Sequence, residues 1–341
     1  MTAALRPVFS CVTENRPDWF QKVQNLVISI RELGGSLADA SILVSFVEGV
    51  DDTYARWLSR FEVDLQVVDP VDRKNRYANK LRMLESHPGD HDVLVALDCD
   101  VVVVGDIAEF LSVKSLQAKP ADCDMLTDGQ WRKIFRAAGV PIPRRTFRTT
   151  AWGQLTYPYV NSGVLLVPSQ LQPTLLTLWS RFLFHLHPVY ESDADLALRR
   201  RYNDQISLAC ALAAGVPIRP LPVGINMPTH LTLHPGVHHQ LSDIRIVHYH
   251  AGLDDRGFVI ESGYAGADRR LDRFNRRRAE ILRLPYDGLP RRSLPRRLKQ
   301  SVSSRRWYHS TFVERLKEWR HRAGRALPPA RARLSPEEGT Q

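Results

Sequence analysis

Regular alternation of strand-like and helix-like segments over the first hundred residues constrains the fold most. Apolar, β-branched runs and segments with apolar residues at helical spacing follow one another in the order β-α-β-α-β-α-β. The strand-like runs are RPVFSCV (6–12), ASILVSFVE (40–48), VDLQVVD (63–69) and DVLVALDCDVVVV (92–104). This order predicts an α/β fold with a mostly parallel, Rossmann-like sheet flanked by helices.

Helix-like segments separate these strands and recur later in the chain. The first three predicted helices are FQKVQNLVISIRELGG (20–35), DDTYARWLSRF (51–61) and NRYANKLRMLESH (75–87). Farther along, the strand YVNSGVLLVP (159–168) precedes a long predicted helix, DADLALRRRYNDQISLACALAAG (193–215). DIRIVHYHAG (243–252) is predicted to be a late strand.

Net charge is distributed unevenly along the chain. The formal net charge is +10, yet the residues from Glu261 onward hold 21 Lys and Arg against 9 Asp and Glu. The preceding residues hold 26 against 28, so the body is near neutral. Because no helix-turn-helix, zinc-finger or RNA-recognition pattern accompanies the basic part, a nucleic-acid-binding protein is not expected. We predict a catalytic domain over 1–265 and a basic, helical and partly disordered extension over 266–341.

The cellular compartment of the protein can be predicted from its cysteines and its apolar runs. Cys11, Cys99, Cys123 and Cys210 lie far apart with no CxxC spacing, so they are expected to be reduced thiols rather than disulfides or zinc ligands. No apolar run approaches the roughly 20 residues of a membrane span, and the first residues lack the pattern of a signal peptide. These features predict a cytoplasmic protein.

The triplet Asp-Cys-Asp occurs twice, and the two copies have different settings. The first, Asp98–Asp100, follows the apolar run VLVAL and precedes VVVV, where a buried parallel strand reaches its carboxyl end. Ligands of open α/β sheets bind outside those ends, and two carboxylates there are suitable ligands for Mg²⁺ or Mn²⁺. Capping of a turn remains the alternative reading of this pair.

The second triplet, Asp122–Asp124, follows a proline and precedes only two apolar residues. No long buried strand is expected to deliver it to a sheet edge. Asp122, Asp124 and Asp128 are therefore predicted to be solvated or turn residues, although Asp124 or Gln130 could line a pocket.

The block NKLRMLESHPGDHDVLVALDCDVVVVGDIAEFL (79–111) resembles glycogenin-like and bacterial galactosyltransferase-like nucleotide-sugar transferases, enzymes of GT-A fold similar to glycosyltransferase family eight. In that pattern a helix bearing a Lys precedes an apolar strand, an Asp-x-Asp and a second apolar stretch. CVTENRPDWFQKVQNLVISIRELG (11–34), YVNSGVLLVP, NDQISL (203–208) and IVHYHAG (246–252) resemble further blocks in the same order. The resemblance implies a GT-A glycosyltransferase that uses a nucleoside-diphosphate sugar, with UDP favoured.

Roles for individual residues follow from this resemblance. It implies that Asp98, Asp100 and His248 bind Mn²⁺ or Mg²⁺, with His250 as a rival for the third position. Residues implied to contact the donor or its transferred sugar are Thr13, Asn15, Lys80, Asn161, Gly163, Asp204 and Gln205. A plain loop for Thr13 and Asn15, a solvated lysine for Lys80 and a helix cap for Asp204 are the structural alternatives.

Two departures from the family pattern limit the resemblance. After its late His the family commonly has a Lys-Pro-Trp stretch, whereas this chain reads HYHAGLDDRGF, in which Arg256 could take the place of the Lys. The acidic residue that some members carry before Asp-Gln is replaced in RRRYNDQ (199–205).

Sugar transfer with retention of configuration is the reaction that the resemblance implies. A silent nucleotide-sugar binder and an inverting transferase remain open alternatives. A nucleotidyltransferase would be expected to carry a Gly-rich loop after the first strand, which CVTENRPDW lacks.

A further prediction concerns the acceptor and the basic C-terminal extension, which could bring the enzyme to a lipid-linked acceptor. The acceptor is expected to be a glycan or a lipid-linked hydroxyl. Aromatic and apolar residues among the arginines of the tail, Trp307, Phe312, Leu316 and Trp319, could lie on an anionic membrane surface. The other reading of this segment is a helix packed on the catalytic domain.

Overall fold

The computed structural model of the chain describes residues 4–85 and 89–293. The strands are β1 (Pro7–Glu14), β2 (Ser41–Val47), β3 (Val63–Val68), β4 (Val93–Leu97), β5 (Val101–Val103), β6 (Leu116–Pro120), β7 (Phe147–Arg148), β8 (Leu155–Thr156), β9 (Val160–Pro168), β10 (Ile218–Pro220), β11 (Met227–Pro228) and β12 (Ile246–His248). The α-helices are α1 (Pro17–Leu33), α2 (Asp52–Ser59), α3 (Asp128–Ala137), α4 (Gln172–His185), α5 (His187–Ser192), α6 (Ala194–Ala197), α7 (Asn203–Ala213) and α8 (Ala265–Leu282).

The main sheet has seven strands within the described ranges, in the order β10-β6-β9-β4-β1-β2-β3. β1 is parallel to β2 and β4, β2 is parallel to β3, and β6 is parallel to β10. β9 runs antiparallel between β4 and β6. The predicted mixed, mostly parallel sheet is therefore confirmed, and its apolar strands suit a sheet that is covered on both faces.

The first Asp-Cys-Asp lies where the chain passes from one sheet to another. β4 ends at Leu97 in the main sheet, whereas β5 pairs antiparallel with β12 in a smaller sheet of order β11-β12-β5. The expectation that the buried strand ends at this triplet is confirmed, because the triplet forms a turn between two strands. Since a turn breaks the alternation of a strand, both carboxylates can face the same side. The pairing of Val101 with His248 brings β12 to the same place.

The helix predicted over 75–87 is a 3₁₀ helix over Arg76–Leu84 rather than an α-helix. Its buried apolar residues include Ala78, Leu81 and Leu84, which are three positions apart. A 3₁₀ helix has three residues per turn, so residues at this spacing lie on one side of it. The 3₁₀ helix therefore packs a single row of apolar side chains against the sheet, which an α-helix with 3.6 residues per turn would not. Asn75 starts the helix by accepting a hydrogen bond from the backbone of Tyr77.

The single helix predicted over 193–215 is also wrong. The chain forms the short helix α6, then a 3₁₀ turn over Arg200–Tyr202, and then α7. Most of α7 is buried, whereas Arg201 is exposed. The break lets the buried helix begin at Asn203, whose amide donates to the Leu183 carbonyl and accepts from the Tyr190 hydroxyl.

Buried side chains form a core on each face of the main sheet and a third cluster around β5, β12 and α8. Ala267, Leu271 and Phe274 of α8 belong to this third cluster. The start of the predicted extension therefore packs on the body of the protein, while the boundary at residue 265 remains a prediction. The tail residues Trp307, Phe312, Leu316 and Trp319 lie outside the described residues.

The four cysteines carry no disulfide, and three of them are buried. In the parts of the chain that the structure covers, no helix combines the length and the apolar character that a membrane span requires.

Candidate functional site

Asp98 and Asp100 lie at the carboxyl end of β4, beside the start of β9. The backbone N–H of Asp98 donates to the carbonyl of Gly163, at 2.8 Å, and the carbonyl of Asp100 accepts from the N–H of Tyr249, at 3.1 Å. Their side chains are largely buried, with exposed fractions of 18% and 21%. The turn is thus fixed by β9 on one side and by the end of β12 on the other.

Lys80 joins Asp98 to α7. Its Nζ lies 2.8 Å from Oδ2 of Asp98, 3.2 Å from Oδ2 of Asp204 and 3.0 Å from Oγ of Ser162. The hydroxyl of Ser162 donates to Asp204 at 2.7 Å. Burial disfavours the charged ammonium, but Asp98 and Asp204 outweigh it and raise the pKa of Lys80. Lys80 is therefore a charged member of the site and not a solvated surface lysine.

Asp100 pairs with His248 on β12. His248 Nε2 lies 3.1 Å from Oδ1 of Asp100. Burial raises the pKa of Asp100, but the electrostatic interaction with the neighbouring His248 ring and the contact between them outweigh burial, so the pKa of Asp100 lies below its usual range. The carboxylate of Asp100 is accordingly ionised near neutral pH.

A chain of amides sets the orientation of the His248 ring. Asn161 Oδ1 accepts from the backbone N–H of Gly163, at 2.8 Å, and from Nδ2 of Asn226, at 3.1 Å. Asn226 therefore turns its oxygen to Nδ1 of His248, 3.0 Å away, and that nitrogen carries the proton. When His248 is neutral, Nε2 therefore carries a lone pair that faces Oδ1 of Asp100. These two hydrogen-bond acceptors repel each other unless a proton or a cation lies between them.

His250 completes a group of side chains with the spacing of metal ligands. Ligand atoms of Asp100, His248 and His250 all lie within 4.8 Å of one another. The rings of His248 and His250 are 3.8 Å apart, and Nε2 of His250 is buried without a hydrogen-bond partner. Asp98 Oδ2 lies 4.0 Å from His248 Nε2 but is bound by Lys80. The donor set therefore fits a divalent cation, with Asp98 and His250 as rival third ligands.

Two connected pockets contain most of the predicted residues. The pocket that we call the strand-end pocket is lined by Lys80, Asp98, Asp100, Asn161, Asp204, Gln205 and His248, among others. The pocket that we call the β1 pocket is lined on its far side by Val12, Thr13, Glu14 and Trp19. Tyr77, Lys80, Asp98 and Asp100 line both pockets. The two therefore form one continuous cleft along the carboxyl ends of β1 and β4.

The remaining predicted residues lie at the margins of this cleft. Gly163 lies under it, where a Cβ would be only 2.6 Å from Cε1 of His248. Asn15 lines a neighbouring polar groove, and its side-chain oxygen accepts from the N–H of Asp51. Arg256 is engaged elsewhere, because it donates to the carbonyl of Pro285 and lines neither pocket of the cleft.

The second triplet is structural, and the prediction of solvated or turn residues holds in part. Asp128 is exposed and Asp124 accepts from the N–H of Leu126 in a turn, whereas Asp122 is not solvated. β6, an unpredicted strand of the main sheet, precedes it and carries the fully buried Lys119. Asp122 forms an ion pair with Lys119 and accepts from the hydroxyl of Thr150 at 2.6 Å. Asp124 accepts from the indole of Trp131, at 2.7 Å. These carboxylates are only partly exposed, and they satisfy a buried ammonium and an indole N–H.

The side chains of Gln130 and Asp128 belong to the start of α3. Gln130 completes a capping box with Thr127, and Asp128 accepts from the hydroxyl of Tyr157 at 2.7 Å. Neither Asp124 nor Gln130 lines the strand-end pocket or the β1 pocket.

Replacing Asp122 with Ala should lower the free energy of unfolding by about 3–5 kcal/mol, because it leaves the ammonium of Lys119 buried and unpaired. Urea unfolding followed by circular dichroism measures this change. Asp18→Ala is the matched control, since Asp18 pairs with Arg16 on the surface and should matter little. Equal losses in the two variants would contradict a structural role for the second triplet.

Several residues of the site carry no distinctive signal in the sequence. Ser162 is visible only as the middle of Asn-Ser-Gly, and Asn226 lies in GINMP, which matches no motif. Arg201 and Tyr202 line the strand-end pocket only because the predicted long helix is broken before α7.

Comparison with known proteins finds one family model that is similar to the central part of the chain. Residues 48–215, just under half of the sequence, match the model of the Rhodobacterales glycosyltransferase domain. No curated protein sequence matches the chain significantly. The matched segment includes Lys80, Asp98, Asp100, Asn161 and Asp204, whereas His248 and His250 lie beyond it.

Solved structures similar to the chain include two glycosyltransferases. The apo structure of the WbbM bifunctional glycosyltransferase is 13% identical with a TM-score of 0.49, and the match covers 83% of this chain. This chain spans about half, 52%, of that protein. The apo form of mouse xyloside xylosyltransferase 1 is 15% identical with a TM-score of 0.43, and the match covers 72% of this chain and 98% of that one.

The family match and the architecture agree with the prediction made from the motifs. The sheet is mainly parallel, helices cover both faces, and the candidate site lies at the carboxyl ends of its strands. Over residues 48–215 the chain is similar to the Rhodobacterales glycosyltransferase domain, and its mainly parallel α/β sheet agrees with the GT-A-like fold that the motifs predict.

Proposed function

We propose that the protein transfers a sugar from a nucleoside-diphosphate sugar, with UDP favoured, to an acceptor hydroxyl, and that it depends on Mn²⁺ or Mg²⁺. One observation carries this proposal. The Lys80–Asp98–Asp204 network and the Asp100–His248 pair line a single cleft. A carboxylate pair, a histidine and a buried ammonium at one sheet edge are suited to a substrate with a diphosphate.

The nucleoside is assigned to the β1 pocket. Thr13 lies at the end of β1, and its Oγ1 is buried without a hydrogen-bond partner among the described residues. Trp19 and Tyr77 supply aromatic surfaces in the same pocket. An unpaired hydroxyl beside aromatic rings is suited to binding a base or a ribose.

The diphosphate is assigned to the residues that line both pockets, and the sugar to the strand-end pocket beyond them. Lys80 places its ammonium at the boundary between the two pockets, and Asp98 and Asp100 line the same boundary. Asn161 and Gln205 lie at the far side, where they can hydrogen-bond sugar hydroxyls. This assignment makes the donor span the whole cleft.

Asp100 and His248 are the proposed metal ligands, with Asp98 or His250 as the third. The bound cation would neutralise negative charge that collects on the diphosphate when the glycosidic bond breaks. Asn226 holds Nδ1 of His248, so that Nε2 is directed to Asp100. Such support from a neighbouring amide fixes the orientation and the tautomer of a ligand histidine.

Retention of configuration is proposed for the transfer. The bond between the anomeric carbon and the phosphate oxygen breaks with its electron pair on the phosphate. The acceptor oxygen then binds the same face of the anomeric carbon and passes its proton to the departing phosphate. Asp204, held by Lys80 and Ser162, lies beside the sugar position and can stabilise positive charge on the ring. The acceptor is proposed to be a glycan or a lipid-linked hydroxyl, and membrane association through the tail remains a prediction.

Donor binding should depend on the metal. We expect a UDP-sugar to bind at least about tenfold more tightly with Mn²⁺ than with EDTA, because the cation offsets the repulsion between the diphosphate and Asp98 and Asp100. Titration calorimetry with UDP-, GDP-, ADP- and dTDP-sugars measures the effect and identifies the base. Equal affinities with Mn²⁺ and with EDTA would overturn the proposed metal dependence.

A further inference from the structure

Arg201 lies at the sugar end of the cleft. It lines the strand-end pocket together with Tyr202, Asp204 and Gln205, but it does not line the β1 pocket. The residues assigned to the diphosphate are those that line both pockets. Arg201 is therefore on the side of the cleft away from the nucleoside, where the transferred sugar meets the acceptor.

The positive charge of this segment has no acidic partner in the described part of the chain. Arg199, Arg200 and Arg201 form no ion pair there, and Nε of Arg199 is buried without a hydrogen-bond partner. The guanidinium of Arg201 lies 4.8 Å from the centre of the Tyr202 ring. By contrast, Lys133 nearby is paired with Asp193 at 2.6 Å.

The segment is held in place from both ends. On one side Asp193 caps α6 by accepting from the N–H groups of Asp195 and Leu196. On the other side Asn203 is anchored to Leu183 and Tyr190. A guanidinium on a fixed 3₁₀ turn loses less freedom on binding than one on a mobile loop. The position of Arg201 is thus prepared for a ligand.

Resting on the proposed function, we propose that Arg201 binds a carboxylate or phosphate group carried by the acceptor, so that the enzyme prefers anionic acceptors. A guanidinium binds such groups through two parallel hydrogen bonds. Many arginines on protein surfaces have no ion-pair partner and bind no ligand. Arg201 differs from these because it lines the same pocket as Asp204 and Gln205.

The test uses the full-length protein loaded with UDP and Mn²⁺. Titration calorimetry with glucose, glucuronic acid and glucose 6-phosphate gives the affinity of one neutral and two anionic probes. We expect the anionic probes to bind more tightly than glucose, and Arg201→Ala to weaken them about tenfold or more while glucose is unchanged. Arg201→Lys should recover part of the loss, since it restores the charge without the planar fork.

Arg181→Ala is the matched control. Arg181 also lies over the ring of the following residue, Phe182, at 5.3 Å, but it is on α4 and lines neither pocket of the cleft. Its replacement removes the same charge and the same kind of ring contact, and it should leave all three probes unaffected. An equal loss in Arg181→Ala would show a general effect of charge and overturn the inference.

A second comparison separates the acceptor from the donor sugar. Affinities of UDP-glucose and UDP-glucuronic acid are measured for the wild type and Arg201→Ala, and we expect both to be unchanged by the substitution. Selective weakening of UDP-glucuronic acid would place the anion on the donor and overturn the inference. Tight UDP binding without any preference for the anionic probes would also overturn it and leave the proposed function standing. Failure of the wild type to bind UDP would overturn both.

Discussion

Asp100→Ala is expected to lower sugar transfer about a thousandfold at saturating Mn²⁺, because it removes the only carboxylate in the candidate ligand group Asp100, His248 and His250 of the described residues. The remaining histidines are neutral when they bind a metal, so this ligand group loses its negative charge as well as a ligand. Asp98 cannot simply replace it, since Asp98 is bound to Lys80 at 2.8 Å. Initial rates of transfer from UDP-glucose and the electron paramagnetic resonance of bound Mn²⁺ measure the two losses separately.

Asp52→Ala is the control for this variant. Asp52 is an exposed carboxylate at the start of α2, so its loss should leave both the rate and the Mn²⁺ affinity unchanged. Circular dichroism establishes that both variants are folded. Transfer by Asp100→Ala at a rate near that of the wild type would refute the role of Asp100 in metal binding.

His250→Ala distinguishes the two rival third ligands within the same assay. If His250 binds the metal, Mn²⁺ affinity should fall while the Lys80–Asp98 ion pair is unaffected. If Asp98 is the third ligand, binding of Mn²⁺ must weaken that ion pair, and His250→Ala should retain the affinity. The same resonance signal reports which of the two outcomes occurs.

The sheet could be predicted from the sequence because its central strands are mainly apolar runs. β1, β2 and β4 are recognisable in this way, and the order of strands and helices implies that they are parallel. The carboxyl ends of parallel strands meet at one edge, and the motif order placed Asp98 and Asp204 there. The structure brings these residues together, while their chemical roles remain predictions.

Other parts of the site could not be predicted, because they depend on tertiary contacts. Local sequence does not reveal that Asn226 turns its oxygen toward His248, since that orientation is set by Asn161 across the site. The burial of Asp122 in the second Asp-Cys-Asp could not be predicted for a related reason. β6 is a short strand that includes Gln117 and Lys119. Because these side chains are polar, the sequence does not indicate that the strand is buried and that Asp122 neutralises the charge of Lys119.

Gly163→Ala is expected to lower transfer about a hundredfold without unfolding the protein. The added methyl group would lie 2.6 Å from Cε1 of His248, 2.9 Å from Oδ2 of Asp98 and 3.0 Å from Oδ1 of Asn161. Carbon atoms do not approach to 2.6 Å, so these side chains must move away from the positions that the site requires. Displacement of reacting groups by about 1 Å is sufficient for a loss of this size. Steady-state kinetics with UDP-glucose and Mn²⁺ measure the effect.

Gly129→Ala is the control that separates this crowding from the general effect of adding a methyl group. Gly129 lies in the first turn of α3, and a Cβ there would have no atom within 4 Å. Ala is also more favourable than Gly in a helix, so this variant should be fully active and at least as stable as the wild type. Full activity of Gly163→Ala would mean that His248 and Asp98 can shift without loss. In that case the close packing under the cleft would not position the residues that bind the donor.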